Sequence, residues 1–208
     1  MAVAVERFLL DREYGSNCYV VRAGEGAESV AVIDPGGDPG DLVARLVGSV
    51  GGILVTHADV DHIGGVAALA AATDAEVWAP AGEADFLRQG ATRGGRTVQA
   101  HDPEHTVADG DSIAVAGLSF DVVGIPGHSI DHVGFHVEGK LFSGDLLFAG
   151  SVGRTDFPGG DWGTLVASIR RLLERFGPDV TVYPGHGEPT TLGRELQTNP
   201  FLGELRSA

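Results

Sequence analysis

Two residue types are almost missing from this chain of 208 residues, which holds one cysteine, Cys18, and one lysine, Lys140. A lone cysteine excludes an internal disulfide framework. Set among the alternating apolar residues of NCYVV, it reads as a core residue of a strand rather than a nucleophile. Positive charge is also scarce: 14 Lys and Arg stand against 29 Asp and Glu, a net charge of −15. Such a surface repels a phosphate backbone, so nucleic acid is not an expected partner. No uninterrupted apolar run reaches the roughly 18 residues that a membrane helix needs, so a soluble protein without a membrane partner is expected. The first residues, MAVAVERFLLDRE, are interrupted by Glu6 and Arg7 and lack a basic leader, so a signal peptide is not expected and the cytoplasm is the default location. No feature of the chain speaks to its oligomeric state.

What is present is a regular alternation of strand-like and helix-like pieces over a length that suits one domain, 1–208. Residues 3–10, 17–23 and 29–34 are rich in β-branched and aromatic residues and read as consecutive strands. Asp38-Pro39 opens the helical segment GDLVARLVGSV, with Leu42, Val43, Leu46 and Val47 on one face, before the strand ILVT. A helix over residues 62–72 and a strand at 76–80 follow. Residues 90–111 are polar, Gly-rich and aperiodic, which predicts a long surface loop. Then come the strands SIAVAG, LSFDVVGI, HVGFHVEG and KLFSGD, a helix over 162–177 and the strand DVTVYPG. Two halves, each a run of strands plus helices, predict an α/β sandwich with helices on both outer faces.

Potential metal ligands collect where strands end. His57 and Asp59 follow the strand ILVT, and Asp61 and His62 open the next helix; His128 in PGHS, Asp145 in FSGD and His186 in PGHG each follow a strand. One sheet edge can therefore gather all seven into a cleft, a set that suits two metal ions. Residues two apart on an extended segment point the same way, so His57 and Asp59 can share one ion, completed by His128. Asp61 and His62, at the bend into the helix, turn toward a second ion with His186. A carboxylate can span two cations where an imidazole cannot, which makes Asp145 the natural bridge. Paired ions about 3.5–4 Å apart activate a shared water at neutral pH.

The segments THADVDHIGG, PGHS, FSGD and PGHG, in this order, resemble the metallo-β-lactamase-fold superfamily, whose pattern runs T-H-x-H-x-D-H-x-G-G and then supplies later His, Asp and His ligands. The likeness spans nearly the whole chain and implies an αββα four-layer sandwich with a dinuclear site at the sheet edge. FAGSVGRTDFPGGDW, PGHGEPTTLGRE and the terminal NPFL are similar to the short type II glyoxalase branch, the hydroxyacylglutathione hydrolases. This implies a metal-dependent hydrolase of S-acyl-thiol conjugates rather than of β-lactams. Asp61 is expected to orient or deprotonate the attacking water, and Arg154 to orient substrate or to pair with Asp156. The alternative implied by the GRTDF segment is a persulfide dioxygenase with one iron on His57, His128 and Asp145.

One position departs from the family pattern: Asp59 stands where histidine is usual, although flavodiiron relatives carry glutamate there. A harder oxygen donor shifts preference from Zn toward Fe or Mn, so at least one Fe or Mn ion is expected. Other residues take blander roles. His101 and His105 read as surface residues. His132 and His136 share one face of a strand, with His132 resembling a recurrent family position near the site. Gly64 and Gly65 permit close helix packing, and Phe148, Phe157 and Trp162 are candidates for pocket walls.

Overall fold

A computed structural model of the chain describes residues 2–46, 48–90, 92–93 and 96–206. Val47, on the expected face of the first helix, and residues 91, 94 and 95 of the expected loop lie outside them.

In chain order the elements are β1 (Ala4–Asp11), β2 (Ser16–Arg22), β3 (Val30–Ile33), α1 (Gly40–Leu46), β4 (Val50–Leu54), α2 (Val60–Ile63), α3 (Val66–Thr73), β5 (Val77–Pro80) and α4 (Ala84–Gln89). The short strands β6 (Thr92–Arg93) and β7 (Arg96–Thr97) pair with each other, and β8 (His105–Val107) follows. The second half runs through β9 (Ser112–Val115), β10 (Leu118–Gly124), β11 (Val133–Val137), β12 (Lys140–Gly144), β13 (Leu147–Phe148), β14 (Ser151–Val152), α5 (Trp162–Arg175), β15 (Thr181–Pro184), β16 (Thr190–Thr191) and α6 (Leu192–Thr198), and ends in a 3-10 turn, Pro200–Arg206. Two six-stranded sheets result, ordered β1-β2-β3-β4-β5-β8 and β16-β15-β12-β11-β10-β9.

Strand alternation builds three buried layers between four layers of structure. In β2 and β3, Cys18, Val20, Val30 and Val32 face outward, where they pack with Leu42, Ile63, Val66 and Leu69 of α1, α2 and α3. The intervening Tyr19, Val21, Ala31 and Ile33 face inward and meet Phe120, Val122, Phe135 and Phe142 of the second sheet. This period of two is what a strand buried on both faces requires. The outer face of the second sheet, with Val123, Leu141 and Val182, is covered by Leu165, Ile169 and Leu172 of α5 and by Leu192 of α6. Asp161 caps α5 by accepting a hydrogen bond from the Thr164 backbone amide at 2.7 Å. The result is the expected αββα sandwich. Among the described residues no helix is long and apolar enough to cross a membrane.

Four local expectations fail. The single helix over 62–72 is two helices, broken at Gly64-Gly65, because a side chain there would strike the carbonyl oxygens of Gly36 and Gly37. The first helix ends at Leu46, and Val50 already belongs to β4. The expected loop over 90–111 contains β8, which extends the first sheet by pairing parallel to β5, as well as β6 and β7. Its apolar content, too low for a recognisable run, is offset by a sheet edge that supplies the backbone partners. His132 precedes β11 rather than lying in it, so it does not share a strand face with His136.

Candidate metal centre

The C-terminal ends of the strands converge as the ligand pattern requires. β4 delivers Thr56, His57 and Asp59 on the turn into α2, whose first turn holds Asp61 and His62. The loop after β10 presents His128, the end of β12 presents Asp145, and the turn after β15 presents His186. His57, Asp59 and His128 bring ligand atoms within 4.8 Å of one another, and so do Asp61, His62 and His186. Asp145 lies between these groups: Oδ1 is 3.3 Å from His62 Nε2, while Oδ2 is 3.3 Å from His186 Nε2 and 3.8 Å from His128 Nε2. Asp59 begins α2 without capping it. Its carboxylate instead lies 3.3 Å from His128 Nε2.

Hydrogen bonds behind the imidazoles aim their free nitrogens into the cleft. The Arg154 carbonyl, which can only accept, lies 2.8 Å from His128 Nδ1, so that nitrogen carries the proton and Nε2 faces inward with a lone pair. Thr56 Oγ1 donates to Asp34 Oδ2 at 2.6 Å, which spends its only proton, so it accepts from His57 Nδ1 at 3.0 Å. His62 Nδ1 sits 3.0 Å from the same Asp34 Oδ2. The Asp34–His57–His62 group that also gathers donors is thus closed by hydrogen bonds on the far side of the rings. Asp34 is buried and holds φ at 51°, a left-handed conformation that costs free energy in a non-glycine residue and concentrates at functional sites.

Three further contacts fix the frame. Glu83, buried at the start of α4, accepts from the Ala58 amide at 2.7 Å with Oε2, and from Ser129 Oγ and the Asp131 amide with Oε1. It therefore ties the loop of His57 and Asp59 to the loop of His128. Ser16 Oγ donates to the Asp61 carbonyl at 2.6 Å. A side chain on Gly185 would overlap Asp145 Oδ1 and crowd His62, so only glycine leaves the centre open there. None of Asp34, Thr56, Glu83 or Ser16 figured among the candidates from sequence. Asp34 alone had a signal, since it ends SVAVID at a strand terminus like the others.

The electrostatics are those of a cation site filled with protein groups alone. Burial, reinforced by neighbouring histidines, pushes His57 well below the usual imidazole range. Burial also opposes protonation of His62, but the Asp145 and Asp34 carboxylates prevail and raise it; at His186, Asp145 and Asp61 prevail in the same way and raise it to about 10. Asp145 is held well below the carboxylate range because the histidines around it outweigh its desolvation. His57 Nε2 is nevertheless buried without a hydrogen-bond partner among the described residues, and His62 Nε2 and Asp145 Oδ1 face only each other, at 3.3 Å and outside good hydrogen-bond geometry. Each such orphan costs on the order of 1–3 kcal/mol. Divalent cations are the ligands that imidazole lone pairs and carboxylates would satisfy together, so the donor set fits a metal pair.

The remaining candidates take definite places. Arg154 forms a two-pronged ion pair with Asp156, at 2.6 Å for each contact, and lies over the Phe157 ring at 3.7 Å. It also lines, with Tyr14, Phe157 and the clustered Asp and His residues, a cavity of about 380 Å³. Of the three expected pocket walls only Phe157 is in the cavity lining; Phe148 stands edge-on to His186 at 5.7 Å and Trp162 packs against Phe201. His132 is fully buried against His57, with ring centroids 4.6 Å apart, and burial pushes it down to about 3. His105 stacks on Trp78 and pairs with Glu76, partly exposed as expected; His101 lies 3.5 Å from Glu104.

Comparison with known proteins agrees with this geometry. The family model described as the metallo-beta-lactamase superfamily matches residues 11–186. A Haemophilus influenzae protein named hydroxyacylglutathione hydrolase GloC is 34% identical over 200 residues, covering 91% of this chain and 93% of its own. Among solved structures, the BLEG-1 B3 metallo-beta-lactamase superposes with a TM-score of 0.88 at 33% identity, over 96% of this chain and 100% of the other. TTHA1623 in a di-iron-bound form gives 0.79 at 38% identity, over 95% and 100%. ETHE1 from Myxococcus xanthus gives 0.77 at 28% identity, over 96% and 85%.

Proposed function

Because this chain belongs to the metallo-β-lactamase superfamily, we propose that it is a dinuclear metallohydrolase that cleaves thioesters of the S-acyl-thiol kind. The observation that carries this reading is the pair of preformed donor groups, each of two histidines and one aspartate, with Asp145 lying between them. His57, Asp59 and His128 would hold one ion, Asp61, His62 and His186 the other, and Asp145 both. When bound, the ions supply a hydroxide nucleophile at neutral pH and Lewis-acid polarisation of the carbonyl. Asp59 adds a hard oxygen donor to the first group, which favours Fe or Mn there, and the di-iron form of the TTHA1623 relative supports that preference.

The chain's own groups supply orientation. Desolvation opposes ionisation of Asp61, but His186 and His62 outweigh it, so Oδ2 stays an acceptor that can hold a proton of the attacking water. Arg154 presents positive charge to the cavity in which the substrate carbonyl would sit. Water oxygen bonds to the carbonyl carbon, the C–S bond breaks, and the sulfur departs as thiolate while a carboxylic acid forms. A thiolate, whose conjugate acid has a pKa of about 8.5, is a good leaving group, so no protein acid has to protonate it as the C–S bond breaks.

A second reading, an oxygenase acting on persulfides, draws on His57, His128 and Asp145, since two histidines and one carboxylate also suit a single non-haem iron. The equally complete group of Asp61, His62 and His186 favours the hydrolase. One panel separates them: metal-loaded protein offered S-acyl thioesters, a β-lactam and glutathione persulfide, with oxygen uptake followed throughout. Thioester cleavage without oxygen uptake is expected. Oxygen uptake with the persulfide alone would overturn the hydrolase reading.

A further inference from the structure

Beside the cleft that holds the metal-type ligands lies a second cavity of about 430 Å³, and the two share Asp59 and Val60 as a common wall. Its other lining is different in kind. Ala58, Val60, Phe86, Ile130 and Pro158 give it an apolar surface. Phe86 and Ile130, which both line it, are 56% and 68% exposed, an uncommon state for two large apolar side chains of one cavity. Its polar lining is Asp59, Glu83, Gln89 and Ser129, and Glu83 is already committed to Ala58, Ser129 and Asp131. The adjoining 380 Å³ cavity, by contrast, carries the Arg154 guanidinium, Tyr14 and His186.

A thioester lying with its carbonyl at the ligand cluster must send its acyl chain one way and its thiol the other. We infer that the Phe86–Ile130 cavity is the acyl subsite and that the preferred substrates carry an apolar acyl chain of several carbons, with the thiol portion leaving past Arg154. A short hydroxylated acyl group would leave most of the apolar wall unfilled. A flexible chain buries that wall and gains roughly 0.8 kcal/mol per methylene, about fourfold, where contact is complete. The rim is half open, so about two- to fourfold per methylene is expected.

This assignment rests on the thioesterase reading, and its test separates the two. The metal-loaded full chain is assayed on acetyl, butyryl and hexanoyl thioesters of N-acetylcysteamine, whose thiol is uncharged. Direct calorimetry in parallel measures binding of the methyl and hexyl thioethers of the same thiol. In the unsubstituted protein kcat/KM climbs from acetyl to hexanoyl by at least tenfold. Ile130→Asp and Phe86→Ser, both at exposed positions, flatten that climb to under threefold while leaving metal content unchanged. Equal kcat/KM for acetyl and hexanoyl, or a gradient that survives both substitutions, overturns the acyl subsite and leaves the hydrolase standing. If no thioester is cleaved, the hydrolase reading fails and the thioethers decide: hexyl binding at least tenfold tighter than methyl, lost in Ile130→Asp, upholds the cavity as an apolar-chain site, and equal binding refutes it.

Discussion

The two donor groups have the same composition, two histidines and one aspartate, yet they are held differently. In the first, His57 and His128 are aimed by neutral acceptors, the Thr56 hydroxyl and the Arg154 carbonyl. In the second, His62 is aimed by the Asp34 carboxylate, and His186 lies against two further carboxylates. A carboxylate behind an imidazole makes it a stronger base, both toward protons and toward a metal. Protonation separates His57 from the rest: burial pushes His57 down, whereas His62 and His186, and His128 in the first group, end above the usual range because their carboxylates outweigh burial. Filling the second group with a cation therefore displaces protons that the first group's His57 never holds.

The comparison breaks most completely at Asp145, the one residue between both groups. Asp145→Asn should empty both, lowering metal content and cutting thioester turnover by on the order of a thousandfold, since metal polarisation is worth several kcal/mol. Full turnover with two ions retained would remove Asp145 from the centre. A graded effect is expected behind the rings. Asp34→Asn, which weakens the direct partner of His62, should cost about 10–100-fold in metal affinity, and Thr56→Val less, because its hydroxyl touches His57 directly but reaches His62 only through Asp34. Competition against a chelator reads both, and the reverse order would undo the distinction drawn between the groups.

The protonation contrast also predicts a stability profile for the chelated protein. His62, His128 and His186 have raised values in the fold, so their contribution is complete below 6.5 and is lost as pH rises through the folded values, about 10 for His186. His57 and His132 are lowered, burial being the main cause, so their neutral burial costs stability as pH falls below 6.5. Thermal unfolding of the metal-free protein should therefore peak near pH 6.5. Metal-loaded protein should lack the alkaline decline, because cations occupy the deprotonated imidazoles. The smallest expected change is Asp59→His, which leaves two ions bound but shifts the first from Fe or Mn toward Zn, read by elemental analysis.

How much of this was legible beforehand follows from the kind of signal each feature carries. The candidate ligands sit at strand ends, a position visible from hydrophobic patterning, and the structure brings all seven together. The sheets were legible because β2 and β3 are apolar runs buried on both faces. The elements missed or misjudged, α4, β8 and the break between α2 and α3, depend on contacts distant in sequence: a sheet edge at β5 and the carbonyls of Gly36 and Gly37. Asp34, Thr56 and Glu83 were missed for the same reason. A buried carboxylate that orients a ligand is indistinguishable in sequence from an exposed one until its partners, 22 to 48 residues away, are known. His132 belongs here too, since its place against His57 follows from the turn before β11 and not from strand alternation.

The account stands on two cations per chain. Elemental analysis of protein purified without added metal, then repeated after equilibration with Fe, Mn and Zn and gel filtration, measures this directly. The account predicts two ions per chain with Fe or Mn as at least one of them, falling together in Asp145→Asn. One ion per chain, or none, after equilibration with all three metals would contradict it.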